Sequence, residues 1–208
     1  MSELTFLLAS FTSIFTVVNP FSAMPVFLAL TQDDPTDLRN SQLKKACMYM
    51  IIILLIFFVA GTYIMSFFGI SLQGIRIAGG IMIMQASFSL LNPKKAGRKL
   101  TSEDVTEAKE KEDISFSPLA MPLLSGPGSI AVVLGLSSSA TGWFDYFSIT
   151  GAILLTALAV FFILRMTPFV VKLLGKTGMT ALTRMMGFIG LCIGVQFVIN
   201  GIMPLLKV

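Results

Sequence analysis

One proline-centred stretch occurs twice in this chain and decides how the rest is interpreted. Asn19-Pro20-Phe21-Ser22 lies inside an apolar run near the start, and Gly126-Pro127-Gly128-Ser129 lies inside another run past the middle. Proline has no backbone N–H and clashes with the preceding helical turn, so a helix breaks there. The residue before the proline is suited to cap a new helix. Each stretch therefore predicts a helix break followed at once by a helix start.

The composition is that of an integral membrane protein. Of the 208 residues, 55% are hydrophobic and 12% are charged, whereas soluble domains carry about 25% charged residues. Six apolar spans long enough to cross a bilayer can be marked, at 4–30, 46–68, 75–91, 116–138, 146–164 and 182–205. We expect a turn at Gly178 before the last span. The chain is predicted to be a single all-α membrane domain over residues 1–208.

The positive charges indicate an orientation in the membrane. A net charge of +4 could suggest nucleic-acid binding, but Lys and Arg flank the apolar spans, as in cytoplasmic loops. The first, third and fifth loops hold twelve of them, against Arg76 and Lys207 on the other side. We therefore expect these loops in the cytoplasm, among them the polar loop 92–115, and both termini outside. Nucleic acid is not expected as a partner.

The two halves of the chain repeat each other. Pro20 and Pro127 lie 107 residues apart, as do Ser22 and Ser129, and the string RIAGG starts 108 residues before RMMGF. Each half, 1–91 and 116–208, holds three spans, and because three is odd the second half enters the membrane in the opposite direction. The sequence thus predicts an inverted repeat of two three-helix units with broken helices 1 and 4, as in secondary transporters.

A binding site is predicted where the two breaks meet. A helix start leaves free N–H groups and a positive dipole end, and a bilayer tolerates such a break only inside protein or at a cavity. Two such starts could hold a carboxylate, while carbonyls freed before each proline hold an ammonium. The candidate substrate-binding residues are Asn19, Pro20, Ser22, Gly126, Pro127, Gly128 and Ser129. Their small neighbours favour a small neutral α-amino acid.

Four further polar residues are candidates for a cavity or a gate: Arg76, Arg184, Gln196 and Asn200. Arginines at span ends also reach the membrane interface, and Gln196 and Asn200, four residues apart on one helix face, could instead make a packing hydrogen bond. The glycines in these spans, Gly79, Gly80, Gly187, Gly190 and Gly194, indicate close helix packing. The two cysteines, Cys47 and Cys192, are interpreted as small buried thiols.

The residue types and motifs that the sequence lacks exclude several kinds of function. The chain has no His, and its eleven Asp and Glu fall outside the spans or at their ends, so no buried carboxylate offers a proton relay. ATP-binding and hydrolase motifs are absent, so no enzyme activity, metal or cofactor is expected. A coupling ion, Na⁺ or H⁺, would have to use carbonyl and hydroxyl oxygens or groups at the span ends. The expected partners are a small-molecule substrate and the lipid bilayer, with a homo-oligomer left open.

Four strings in the chain resemble one known family. VNPFSAMPVF, FGISLQGIRIAGG, SFSPLAMPLLSGPGSIA and TRMMGFIGLCIGVQFVINGI occur in this order over nearly the whole length, and they resemble the MarC family of bacterial and archaeal inner-membrane proteins. The resemblance implies six spans, an inner-membrane location and transport of small neutral amino acids such as alanine or glycine. The family's N-P and G-P-G signatures map onto Asn19-Pro20 and Gly126-Pro127-Gly128.

These observations together predict a secondary transporter of small neutral amino acids that works by alternating access. Two alternatives share the same helix breaks. One is a channel or facilitator for a small polar solute, and the other is a membrane scaffold that transports nothing and in which the breaks are structural kinks.

Overall fold

The structure, a computed structural model, describes residues 3–31, 33–91 and 113–206. Every regular element in these ranges is helical. The helices are α1 (Glu3–Val18), α2 (Pro20–Thr31), α3 (Thr36–Phe68), α4 (Leu72–Leu91), α5 (Ser115–Leu124), α6 (Pro127–Ser139), α7 (Trp143–Arg165) and α8 (Thr167–Leu206). Of the predicted loop 92–115, residues 92–112 lie outside the described residues, as does Lys207.

Four helical segments are long and apolar enough to cross a membrane: α3, α4, α7 and the Thr177–Leu206 part of α8. The pairs α1–α2 and α5–α6 also pass this test when each bent pair counts as one span. The described chain thus has four candidate spans, or six with the bent pairs. The prediction of an all-α, multi-pass membrane protein is confirmed.

Several predicted boundaries move in the structure. Helix α3 begins at Thr36 rather than at residue 46, because the polar residues before the apolar run continue the same helix. The turn expected at Gly178 is wrong, since the interruption of α8 falls at Gly175, which has a φ of 64°. Glycine adopts this left-handed conformation without a steric penalty, and a Cβ at Gly175 would meet nothing within 4 Å.

The chain re-enters the described structure at Asp113, which is anchored to α3. The Lys45 Nζ group donates to Asp113 Oδ2 at 2.8 Å, and the Ser115 N–H donates to Asp113 Oδ1 at 2.9 Å. These hydrogen bonds lower the pKa of Asp113 to about 2. The carboxylate therefore stays charged at physiological pH, and it fixes the start of α5 beside α3.

Helices α3 and α7 form the centre of the molecule. Leu43, Met50 and Leu54 of α3 are fully buried, as are Ile149 and Ile153 of α7. Helix α1 packs on α7, and α5 packs on α3. Helix α6 contacts α3 and α4, and α2 contacts α7 and α8. The first halves of the bent pairs are thus held on opposite central helices.

Helices α4 and α8 cross in antiparallel contact at their glycines. A Cβ added at Gly194 would lie 2.8 Å from Gly80 O and 2.9 Å from Met84 N, and one added at Gly187 would lie 2.9 Å from Leu90 Cβ. Real Cβ atoms do not approach backbone atoms so closely, so the two helices touch through their backbones, as small residues allow in membranes. The prediction that these glycines permit close packing is confirmed.

The glycine contact leads to a first prediction. Gly194→Ala should lower the free energy of unfolding by about 1–3 kcal/mol, the usual cost of overpacking, because backbone atoms of α4 cannot move aside. In the control Gly135→Ala, the nearest atom is Leu72 Cδ1 at 3.9 Å, so stability should be unchanged or higher. Thermal unfolding in detergent tests this, and equal midpoints for the two variants would contradict it.

Candidate functional site

A single residue, Asn19, separates α1 from α2, which are bent by 40°. Its φ of 45° is left-handed, a conformation that Asn adopts more readily than other residues with a side chain, glycine aside. The Asn19 N–H closes α1 by donating to Phe15 O at 2.9 Å. The Ser22 N–H is shared between Asn19 O at 3.0 Å and Asn19 Oδ1 at 3.3 Å. Asn19 therefore ends one helix and caps the next.

The junction of α5 and α6 is bent more sharply, by 62°. Gly126 is the cap residue and Pro127 is the first residue of α6. A Cβ at Gly126 would lie 2.8 Å from Pro122 O, so a glycine is needed here. Because Gly126 has no side chain, no side-chain oxygen caps α6. The first N–H groups of α6, on Gly128 and Ser129, are therefore open in a way that those of α2 are not.

Helix α5 is irregular because of its two prolines. Ser117 and Met121 have extended backbone angles, as expected for residues that precede a proline. The hydrogen bonds from Leu119 N to Ile114 O and from Ser125 N to Ala120 O span five residues. The sequence analysis anticipated the break after α5 but not this irregular approach to it.

The two serines after the breaks make matching hydrogen bonds. Ser22 Oγ donates to Asn19 O at 2.8 Å, and Ser129 Oγ donates to Gly126 O at 2.9 Å. Ser129 Oγ also lies 3.3 Å from Leu124 O. A hydroxyl has one hydrogen and two acceptor lone pairs, so each serine keeps acceptor capacity after serving its own helix start.

A cavity of about 420 Å³ lies between the two breaks and α4. Six of the seven predicted substrate-binding residues line it: Asn19, Ser22, Gly126, Pro127, Gly128 and Ser129. The seventh, Pro20, is buried and lies off the lining. A Cβ at Gly128 would lie 2.6 Å from Ile83 Cγ1 and 3.1 Å from Val17 Cγ1, so the wall is tight at this position.

The lining is mostly apolar, with several uncharged polar side chains and no ionisable side chain among the described residues. Thr16, Gln85, Ser87 and Ser89 add polar groups that the sequence analysis missed. Thr16 lies one turn before Asn19, and the other three belong to the string QASFS in α4. A run of uncharged polar residues inside an otherwise apolar span is the signal that could have identified them.

The four candidates for a cavity or gate lie elsewhere. Arg76, Arg184, Gln196 and Asn200 are not among the residues that line the cavity. The Gln196 Nε2 group donates to Asn200 Oδ1 at 2.8 Å, so these two residues hydrogen bond to each other and do not line the cavity. A gating role for the two arginines stays a prediction.

Comparison with known proteins supplies the family. A family model described as "MarC family integral membrane protein" matches residues 4–206, nearly the whole chain. The chain belongs to the MarC family. The resemblance inferred from the four strings is thus confirmed, and no solved structure matches this family member.

Relatives of this MarC-family protein are known from both bacteria and archaea. The UPF0056 membrane protein MJ1677 of Methanocaldococcus jannaschii is 38% identical over 96% of this chain and 97% of its own. The UPF0056 membrane protein YvbG of Bacillus subtilis is 34% identical over 97% and 98%. The UPF0056 inner membrane protein MarC of Escherichia coli (strain SMS-3-5 / SECEC) is 35% identical over 92% and 91%. These relatives are named as membrane or inner membrane proteins.

The double role of Asn19 leads to a second prediction. Asn19→Ala loses the cap, worth about 1 kcal/mol, and with it the local side-chain hydrogen bonding that lets Asn adopt a positive φ more readily than alanine. Asn19→Gly keeps the left-handed backbone and should cost only a few tenths of a kcal/mol. Denaturant unfolding in detergent should therefore rank stability as wild type, then Asn19→Gly, then Asn19→Ala. Equal stability of the two variants would show that the left-handed conformation does not matter.

Proposed function

We propose that this MarC-family protein is a secondary transporter of small neutral amino acids, such as alanine or glycine, that works by alternating access. One observation carries the proposal: two helix starts with matching serine hydroxyls line one cavity that has no ionisable side chain among its described lining. Its volume of about 420 Å³ falls within the roughly 300–1,000 Å³ of small-molecule sites. A net-neutral solute with charged ends fits such a lining.

The helix contacts support an inverted repeat. In such a repeat α1–α2 would correspond to α5–α6, α3 to α7 and α4 to α8. Most helix contacts then have a counterpart in the other half. The α1–α7 contact matches α5–α3, the α2–α8 contact matches α6–α4, and the α2–α7 contact matches α6–α3. On this proposal each bent pair is one broken span, and there are six.

The two helix starts suggest how the substrate is oriented. The start of α6 has open N–H groups on Gly128 and Ser129, and the positive end of its dipole adds to them, so it suits the carboxylate. The start of α2 is occupied in part by Asn19 Oδ1. The carboxylate therefore faces α6 rather than α2.

The ammonium group of the proposed substrate needs oxygen atoms that accept its hydrogen bonds. In a regular helix the carbonyl oxygen of a residue accepts a hydrogen bond from the N–H group four residues later. For Thr16 and Leu123 that later residue is a proline, Pro20 or Pro127, which has no N–H. Thr16 and Leu123 both line the cavity. Their carbonyl oxygens are thus suited to an ammonium, or to a coupling ion such as Na⁺, because no carboxylate lies on the described lining.

The remaining expectations belong to the same proposal. The charge distribution puts loops one, three and five in the cytoplasm and both termini outside. The protein acts as a carrier rather than an enzyme and uses no cofactor beyond a coupling ion, Na⁺ or H⁺. Its membrane is the inner membrane, the location named for the Escherichia coli relative.

Transport by the purified protein in liposomes gives a third prediction. Labelled alanine and glycine should enter saturably, and an imposed Na⁺ or H⁺ gradient should raise uptake. Counterflow separates a carrier from a channel, because unlabelled substrate inside the liposomes accelerates entry only through a carrier. Absence of flux for every small neutral amino acid would contradict the proposal and favour the scaffold.

A matched pair of serines tests the site itself. Ser129→Ala should weaken apparent affinity about tenfold or more, as for loss of a hydrogen bond to a charged group. Ser138 is a control on the same helix, since its Oγ donates to Gly135 O at 2.9 Å in the same geometry but lies off the cavity. Ser138→Ala should leave transport unchanged, and equal effects of the two substitutions would contradict the site.

A further inference from the structure

The outward face of α8 carries two carboxamides. Gln196 and Asn200 are both exposed and hydrogen bonded to each other. Gly194 and Gly201 pack on α4, and with about 3.6 residues per turn the two carboxamides lie on the opposite side of the helix. They therefore face away from the rest of the chain.

In the described residues, the outward faces in the middle of α3 and α7 lack carboxamides. The exposed side chains in the middle of α3 and α7 are hydrocarbons: Ile52, Ile56 and Val59 on α3, and Leu154, Leu158 and Phe162 on α7. Such faces suit lipid tails without a partner. The carboxamide pair on α8 departs from this pattern.

The pair lies within the apolar part of α8 rather than at its end. Residues 201–206, GIMPLL, follow Asn200 without a charged or strongly polar side chain and extend the helix by about 9 Å. The preceding outward residues, including Met185 and Ile189, are also apolar. Water at the membrane interface is therefore not the natural partner of Gln196.

The mutual hydrogen bond leaves most donors and acceptors of the two carboxamides unpaired. A carboxamide has two N–H donors and a carbonyl acceptor. Within the part of the chain that the structure describes, the Gln196 carbonyl oxygen, its second N–H and both N–H groups of Asn200 have no partner. In hydrocarbon, unpaired polar groups are unfavourable, so the face needs a hydrogen-bonding occupant.

We propose that Gln196 and Asn200 form the centre of a homodimer interface in which α8 packs against α8 of a second copy. A carboxamide donates and accepts, so the pair is complementary to itself under two-fold symmetry, as an isologous interface requires. Residues 92–112 are rich in Lys and Glu, side chains that hydrocarbon excludes, so their composition does not match this face. This proposal does not depend on the transported solute.

A native cysteine, Cys192, can be used to test this interface by cross-linking. Cys192 is exposed and lies one turn before Gln196 on the same face, whereas Cys47 is buried. The interpretation of both cysteines as buried thiols is thus right for Cys47 and wrong for Cys192. These are the two cysteines of the sequence, so thiol cross-linking of the native protein samples the α8 face.

The experiment cross-links the full-length protein in lipid bilayers, by copper-catalysed oxidation and by a short bismaleimide. A product of twice the monomer mass is expected, and Cys192→Ser should abolish it. In the Cys192→Ser background, Phe162→Cys puts a thiol on the exposed face of α7 and should give no dimer. A wild-type protein that stays monomeric, or a dimer that forms equally through position 162, would overturn the proposal.

Substitution of the carboxamides tests their part directly. The double variant Gln196→Leu, Asn200→Leu should weaken dimerisation about tenfold, measured by energy transfer between labelled copies on dilution in lipid. Asn200→Gln keeps a carboxamide and should retain the dimer. The variants replace exposed side chains, so their thermal unfolding midpoints should match wild type. A double leucine variant that dimerises as tightly as wild type would refute the role of the pair.

Discussion

The structure depends on one constraint, the backbone donor that proline lacks inside an apolar chain. In a bilayer each unpaired backbone group is costly, so a break in a helix has to be compensated by protein groups or by a cavity. At Asn19 the compensation is local, through the Phe15 carbonyl on one side and the Ser22 N–H on the other. At Gly126 the cap residue brings no side chain, and the open helix start lies on the cavity. The unpaired backbone groups are thus compensated by a side-chain cap at one break and by the cavity at the other.

The second requirement is a wall that closes the cavity opposite the breaks. Helix α4 supplies it, and α4 is held by its backbone contact with α8 at Gly80 and Gly194. Because the contact runs through glycines, the register of the two helices is fixed by main-chain atoms rather than by adaptable side chains. The polar string of α4 faces the cavity as a result, with Ser87 also lying against Gly190. The glycines of this helix contact thus position side chains that line the cavity.

Much of this arrangement could be predicted from sequence because it depends on local chemistry. A proline inside an apolar run breaks a helix wherever it occurs, so Pro20 and Pro127 marked the breaks, and the serines two residues on marked the helix starts. The left-handed backbone of Asn19 could not be predicted, since it depends on how α1 and α2 are held by other helices. The same holds for the polar string of α4, whose exposure to the cavity follows from the crossing with α8.

Other differences come from properties that a one-dimensional pattern does not contain. Gly178 and Gly175 look equivalent in sequence, but Gly175 has the positive φ that interrupts α8 and Gly178 stays helical. Cys47 and Cys192 both lie among apolar residues, but apolar surroundings in a membrane protein do not distinguish the interior from the lipid-facing surface. Burial therefore has to be read from the helix contacts.

On the proposed alternating-access function, the unequal caps of α2 and α6 affect the balance between the two conformations. If the two halves were identical, exchanging their conformations would turn the outward-open form into the inward-open form at no cost, and both would be equally populated. On that proposal, the Asn19 side chain caps one helix start and Gly126 has no side chain to cap the other, so the two forms would differ in free energy and in population even without substrate. The proposal thus implies that a difference between two residues sets which side of the membrane the resting protein favours.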